Sequence, residues 1–224
     1  MAEKTSLGLD NSTIVLMTAD HGWGLGEHNH WIKYTNWETD TRTPLFVHVP
    51  WAPETWGVHT SALVEHVDHF PTTAALAGLP VPTPATEPDL GGTSYAHLFT
   101  NPNAPHSAAA YSQYPRCWGK GQNMSSHNFT EDNRCANVKN TEFGYMGYSM
   151  RSDRWHYVEW APWDGATLKP VWDAAPMAEL YDHEGDDMYR WTYERFENVN
   201  AASANKDVVK EMSATLRAFF GANS

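Results

Sequence analysis

Asp20, His21 and Lys33 are the residues whose types and spacing could do chemistry together. They lie in Ile14-Val15-Leu16-Met17-Thr18-Ala19-Asp20-His21-Gly22-Trp23, continued by Gly24-Leu25-Gly26-Glu27-His28-Asn29-His30-Trp31-Ile32-Lys33-Tyr34. A carboxylate is a hard oxygen donor suited to Ca²⁺ or Mg²⁺, and a neighbouring imidazole can complete coordination or hydrogen-bond an oxyanion. Adjacent side chains point apart on an extended strand, so both reach one ion only where the backbone turns, which Gly22 permits. The ammonium of Lys33, on its flexible stem, is a natural partner for a tetrahedral anion. Each residue also has a plainer reading: Asp20 as a turn starter, His21 as a hydrogen-bonded structural histidine, Lys33 as a solvated cation. His28 and His30 alone support no zinc site, because no third nitrogen or sulfur ligand stands at a diagnostic spacing.

The elements that must position these groups follow from the hydrophobic pattern. Residues 13–18 are a short continuous apolar run, which predicts a central parallel strand covered on both faces. Asp20 and His21 would then sit at its carboxyl edge, where open α/β sheets bind ligands. Residues 20–42 have no sustained period; so long a loop is functional or disordered, and its tryptophans argue against disorder. Residues 44–50 read as a second buried strand, and 64–79 as a helical segment with Pro71 near its start and Gly78 at its end. Strand, loop, strand, helix is the grammar of an α/β fold. The proline-, threonine- and glycine-rich stretch 80–92 reads as a connector, which divides the chain into 1–92 and 93–224. Beyond it, strand-like runs at 108–114, 145–150, 155–160 and 178–181 predict a small, mostly antiparallel sheet. Val208, Met212, Leu216 and Phe219 or Phe220 recur at helical spacing before Gly221, which predicts a terminal amphipathic helix.

The 224 residues, 41% hydrophobic and 19% charged, suffice to bury a core. A formal net charge of -12 argues against duplex nucleic acid or an anionic membrane as partner, since no basic cluster exists to neutralise phosphates. No stretch approaches the roughly 20 apolar residues of a membrane span, and the first residues lack a signal-peptide apolar core; taken literally, the chain stays in the cytosol. Cys117 and Cys135 bracket a polar segment whose closure would stabilise by about 3 kcal/mol if the pair were oxidised, and two separate thiols fit equally well. Sequons at Asn11, Asn123 and Asn128 are weak pointers to a secreted protein. The 11 tryptophans and 10 tyrosines fit either a carbohydrate-binding surface or a large aromatic core. The acidic run of Glu179, Asp182, Glu184, Asp186 and Asp187 lacks the alternating ligands of a calcium loop and reads as a solvated loop. Arg42 could brace the site loop through its planar fork or pair at the surface.

The string Thr18-Ala19-Asp20-His21-Gly22-Trp23, then Leu25-Gly26-Glu27-His28, Lys33-Tyr34 and Arg42-Thr43-Pro44-Leu45, resembles the sulfatase family of the alkaline-phosphatase-like superfamily. The resemblance extends through Val64-Glu65-His66-Val67-Asp68-His69-Phe70-Pro71-Thr72, Leu76-Ala77-Gly78-Leu79-Pro80, Gly91-Gly92-Thr93-Ser94 and Glu179-Leu180-Tyr181-Asp182. Within the family, Ala110-Tyr111-Ser112-Gln113-Tyr114-Pro115-Arg116 and Met146-Gly147-Tyr148-Ser149-Met150-Arg151 are most similar to iduronate-2-sulfatases and their bacterial and algal relatives. The resemblance implies that Asp20 and His21 ligate one divalent cation, Ca²⁺ or Mg²⁺, that Lys33 contacts the substrate's sulfate, and that Trp23 and Tyr34 line the pocket.

One departure is decisive. The family's nucleophile is a formylglycine made from a cysteine or serine followed by x-Pro/Ala-x-Arg. Neither Cys117-Trp118-Gly119-Lys120-Gly121 nor Cys135-Ala136-Asn137-Val138-Lys139 fits, and Ser213-Ala214-Thr215-Leu216-Arg217 has threonine where proline or alanine is required. The nucleophile and the early aspartate pair are expected in a missing N-terminal half. The expected fold is therefore the C-terminal part of a sulfatase α/β domain over 1–92, followed over 93–224 by a small antiparallel-sheet subdomain with a C-terminal helix. The expected substrate is a sulfated small molecule or glycan, and the expected location of the whole enzyme is secreted or lysosomal. Two alternatives stand beside this reading: a phosphodiesterase or phosphonate hydrolase of the same superfamily, and a non-catalytic module binding a cation or a sulfated sugar.

Overall fold

The computed structural model describes residues 2–83, 85–88, 90–117, 135, 138–173, 177–187 and 193–221. The order is α1 (Ala2–Ser6), β1 (Val15–Thr18), β2 (Gly24–Leu25), β3 (Trp31–Ile32), α2 (Glu38–Thr41), β4 (Leu45–His48), α3 (His69–Leu76), β5 (Ala110–Arg116), β6 (Tyr145–Arg151), β7 (Trp155–Asp164), β8 (Lys169–Pro170), β9 (Met177–Asp182) and α4 (Lys206–Gly221). Two compact units form, one from Met1–Asp20 with Thr43–Ala110, the other from His21–Arg42 with Tyr111–Ser224.

In the first unit β1 pairs with β4, Leu16 opposite Val47 and Met17 opposite Phe46. The pairing is antiparallel, whereas the unbroken apolar run predicts a parallel strand. A parallel return needs a crossover that brings the chain back to its starting end, and the segment joining β1 to β4 carries only the two-residue strands β2 and β3, a 3₁₀ turn and α2, a helix of 4 residues. Met17 and Phe46 are 56% and 58% exposed, so this face of the pair is not buried as the sequence pattern predicts.

The expected helix over 64–79 is shorter. A 3₁₀ turn at His66–Asp68 leads into α3, and the chain leaves it at Gly78, whose φ of 71° suits glycine. Asp68 sets the entry: its Oδ2 accepts from the Glu65 N–H at 2.8 Å and its Oδ1 from the Thr93 N–H at 2.7 Å. Gly92 is required there, since a Cβ would stand 2.0 Å from the Val67 carbonyl oxygen. Val49, Leu63, Thr72, Tyr95 and Leu98 are the buried centre of this unit.

The second unit is built on the sheet β5-β6-β7-β8, with β9 on the other side of β7. β6, β8 and β9 all run antiparallel to β7, as the short alternating runs predict. β7 is central, which is why Tyr157, Val158 and Ala161 are almost wholly buried. The expected terminal helix forms as α4 and buries Met212 and Leu216. Phe219 stacks on Tyr111 with centroids 3.8 Å apart, and Phe220 packs on Tyr148 at 4.5 Å. Cys117 and Cys135 are joined as a disulfide, with Cα atoms 5.5 Å apart. Asn123 and Asn128 lie outside the described residues.

Candidate active site

Asp20 closes the first unit, two residues beyond β1, with its side chain exposed. Nearby, Thr18 Oγ1 and Thr43 Oγ1 stand 3.5 Å apart, and Thr43 Oγ1 lies 3.2 Å from His66 Nε2. The other proposed residues, His21, Trp23, Lys33 and Tyr34, belong to the second unit.

There the loop predicted to be functional is tightly folded. β2 and β3 pair as a short hairpin, Gly24 opposite Ile32 and Leu25 opposite Trp31. The Gly22 N–H donates to the Asp40 carbonyl at 2.8 Å, and a Cβ on Gly22 would lie 1.9 Å from the Thr39 carbonyl oxygen. The turn after His21 thus exists because residue 22 has no side chain. Ile32 and Tyr34 take positive φ values of 73° and 85°, a strained backbone for side-chain-bearing residues that concentrates at functional sites.

That strain aims Lys33. Its Nζ donates to His21 Nε2, a close contact, and also lies 5.3 Å from the Tyr34 ring centroid. His21 Nδ1–H donates to its neighbour's carbonyl, Gly22 O, at 2.8 Å, so Nε2 carries the lone pair. The His30 Nε2–H holds the Lys33 carbonyl at 2.9 Å. Trp23 is half exposed, its ring centroid 6.4 Å from that of His21. Tyr34 meets Tyr114 at 5.7 Å, and Arg116 Nη1 donates to the Tyr34 carbonyl at 3.2 Å. Burial, with the nearby Tyr34 hydroxyl adding to it, pushes the Tyr114 hydroxyl up to about 12, so it stays a neutral donor at any working pH.

These contacts give the Tyr111-to-Arg116 stretch a structural meaning: β5 is the wall that holds the loop. Ser112 Oγ reaches Asn36 Oδ1 at 3.4 Å and Ser149 Oγ at 2.7 Å, so the two motifs that carried the resemblance are hydrogen-bonded to one another. His28 is structural; it stacks on Trp37 at 4.1 Å.

A carboxylate and an imidazole are both ligand types for a divalent cation. The His21 Nε2 lone pair accepts from Lys33 Nζ, and Asp20 is an exposed carboxylate. They are too few to hold Ca²⁺ alone, which takes about six to eight oxygen ligands.

Two sequence expectations change. The acidic run is only partly a solvated loop: Asp182 and Glu184 pair with Arg154 at the surface, whereas the Asp186 carboxylate is 1% exposed and accepts from Arg42 Nη1 at 2.7 Å. Arg42 is the brace rather than a surface pair, since Nη1 also donates to Glu38 Oε2 at 3.0 Å. Burial works against its charge, but Asp186 and Glu38 together raise its pKa. Sequence reasoning missed Asp40, Glu38, Arg151, His156, His183 and Glu197. Asp40 is buried and accepts from the Thr35 N–H at 2.9 Å and Thr35 Oγ1 at 2.6 Å; desolvation nonetheless raises its pKa. Its one local signal was a threonine five positions upstream able to tie the loop.

The family profile described as Sulfatase matches residues 4–79. Iduronate 2-sulfatase of Mus musculus is 33% identical over 221 residues, covering 80% of this chain. The chain belongs to the sulfatase family. It spans 38% of the length of that relative. A solved structure described as in complex with its substrate D-glucosamine-2-N,6-O-disulfate superposes over 100% of this sulfatase-family chain and 37% of its own, with a TM-score of 0.64 and 19% identity. Phosphonate monoester hydrolase of Agrobacterium radiobacter superposes over 97% of this chain and 37% of its own, with a TM-score of 0.63 and 21% identity. These likenesses establish the fold, the α/β architecture of sulfatases with a small antiparallel sheet and terminal helix. Among the described residues of this sulfatase-family chain, no helix is long and apolar enough to cross a membrane.

Proposed function

We propose that this chain is the C-terminal portion of a sulfatase that hydrolyses sulfate esters of uronate-containing glycans. Asp20 and His21 contribute ligands to one Ca²⁺ or Mg²⁺, Lys33 contacts the sulfate, and Trp23 and Tyr34 line the pocket. The nucleophile, a formylglycine, and the remaining cation ligands come from an N-terminal portion of the same enzyme, whose location is secreted or lysosomal. The divalent cation would polarise the sulfate. This chain's own part is to hold an ammonium beside an imidazole whose tautomer is fixed by Gly22: when the His21 Nε2 lone pair turns to the cation, Lys33 is released from it and offers its positive charge to a sulfate oxygen.

The observation that carries this reading is the contact between Lys33 Nζ and His21 Nε2 in a loop whose backbone is strained to make it. The exposed cross-strand pair Met17 and Phe46 supports the fragment reading, because a two-stranded sheet with a bare apolar face is marginal in water.

The test is expression of the chain together with its upstream coding sequence, assayed against an iduronate-2-sulfate disaccharide, an aryl sulfate and a phosphonate monoester. Sulfate release by the longer protein, lost in Lys33→Ala and absent in the 224-residue chain, is expected. Robust aryl-sulfate turnover by the 224 residues alone would sink the fragment reading. Preference for the phosphonate monoester would replace sulfatase by phosphonate hydrolase.

A further inference from the structure

Elsewhere in the second unit three ligand-type side chains converge: His156 on β7, His183 one residue past β9, and Glu197 in the 3₁₀ turn Tyr193–Glu197. All are essentially buried, at 1%, 2% and 1% exposure. One ligand atom from each lies within 4.8 Å of the other two.

His183 decides what the group can do. Its Nδ1–H donates to Asp186 Oδ2 at 3.1 Å, which leaves the lone pair on Nε2. That Nε2 is buried and makes no hydrogen bond among the described residues. Glu197 Oε1 stands 3.7 Å from it, beyond hydrogen-bond reach, and is itself in contact with His156 Nδ1. A desolvated imidazole nitrogen facing a carboxylate it does not reach is unfavourable as it stands. A cation held by both groups removes that cost.

We infer that His156, His183 and Glu197 form a binding site for a divalent transition-metal ion of the Zn²⁺ class. Two imidazoles and one carboxylate favour such an ion over the all-oxygen preference of Ca²⁺ and Mg²⁺. The supporting contacts are those of a metal site: Asp186 orients His183, and the Glu38 N–H donates to Glu197 Oε2 at 2.9 Å, leaving Oε1 to the ion. The neighbouring triplet of Glu38, His183 and Asp186 is a poorer candidate. Arg42 Nη1 already pairs with both of its carboxylates and Arg151 Nε with Glu38, so a further cation there meets two guanidiniums. On binding, His156 and Glu197 separate to admit the ion, and the proton between them passes to solvent.

The purified 224-residue chain, in millimolar Ca²⁺, is titrated with Zn²⁺ against a chromophoric chelator, and with Co²⁺ as an optical probe. One tight Zn²⁺ per chain is expected. His183→Gln and Glu197→Gln should weaken it at least about tenfold, and Asp186→Asn by about 10- to 100-fold through the lost support. His59→Gln, at an exposed histidine outside the cluster, should leave it unchanged. The Co²⁺ form should show the intense visible bands of a four-coordinate ion. No tight Zn²⁺ in the wild type, equal affinity in His183→Gln, or only the weak bands of octahedral Co²⁺ overturns the site. Where the glutamine variants fail to melt cooperatively, the wild-type Co²⁺ spectrum alone decides.

Discussion

Lys33 donates through Nζ to His21 Nε2, while the other ring nitrogen of His21 is committed to the Gly22 carbonyl. The imidazole is therefore locked in one tautomer with its lone pair under a fixed positive charge. In the whole enzyme, Lys33→Ala should lower kcat/KM by about 100-fold, the range seen when one preorganised partner of a developing anion is removed. In the isolated chain, ¹⁵N-resolved histidine spectra should show His21 protonated at Nδ1. A His21 protonated at Nε2 would refute the tautomer.

Gly22→Ala should damage the loop from within. The added methyl would lie 1.9 Å from the Thr39 carbonyl oxygen, and relieving that clash breaks the hydrogen bond from Gly22 to Asp40. Overpacking of this kind costs about 1–3 kcal/mol. Denaturant unfolding should report the loss, and full retention of stability would show that the turn relaxes at no cost.

Arg42→Met should be more severe. It strips Nη1 from two carboxylates at once, Glu38 at 3.0 Å and Asp186 at 2.7 Å, both nearly inaccessible to water. Removing one side of a buried pair typically costs about 3–5 kcal/mol; here Arg151 still pairs with Glu38 and His183 still donates to Asp186, so the loss should fall at the lower end of that range. A melting temperature within a degree or two of wild type would contradict this.

Replacing Cys117 and Cys135 together by serine should cost about 3 kcal/mol, since their separation of 18 residues sets the chain entropy that the crosslink removes. The same loss should appear on adding a reductant to the wild type, and reductant should not affect the double variant.

His69 offers a pH test. Burial, reinforced by the neighbouring His66 and opposed by Asp68, lowers its pKa from the ordinary 6.5, and its Nδ1 lies 3.0 Å from the Tyr95 hydroxyl. Its proton is bound more readily in the unfolded chain, so its contribution to stability is complete above pH 6.5 and falls away as pH drops below 6.5 towards its folded pKa. His69→Gln should therefore narrow the gap in melting temperature between pH 7 and pH 5.5. An unchanged gap would show that His69 carries no part of it.

The sequence by itself determined the segments. A continuous apolar run, alternating runs and a helical period of apolar residues fix β1, the sheet strands and α4, because each pattern states which face must leave water. It also supplied Asp20, His21 and Lys33 as candidate site residues, and Gly22 as the position where the backbone can turn. What only the tertiary structure decided is which charges meet. Glu38 accepts from Arg151, Arg42 pairs with Asp186, and the Glu38 N–H reaches Glu197, all across 113 to 159 residues of chain. In the linear order Asp186 reads as part of a solvated run, and Glu38 and Glu197 carry no signal at all. Burial makes each of them demand a partner, and partner choice depends on the pairing of β6, β7 and β9, which no local pattern encodes.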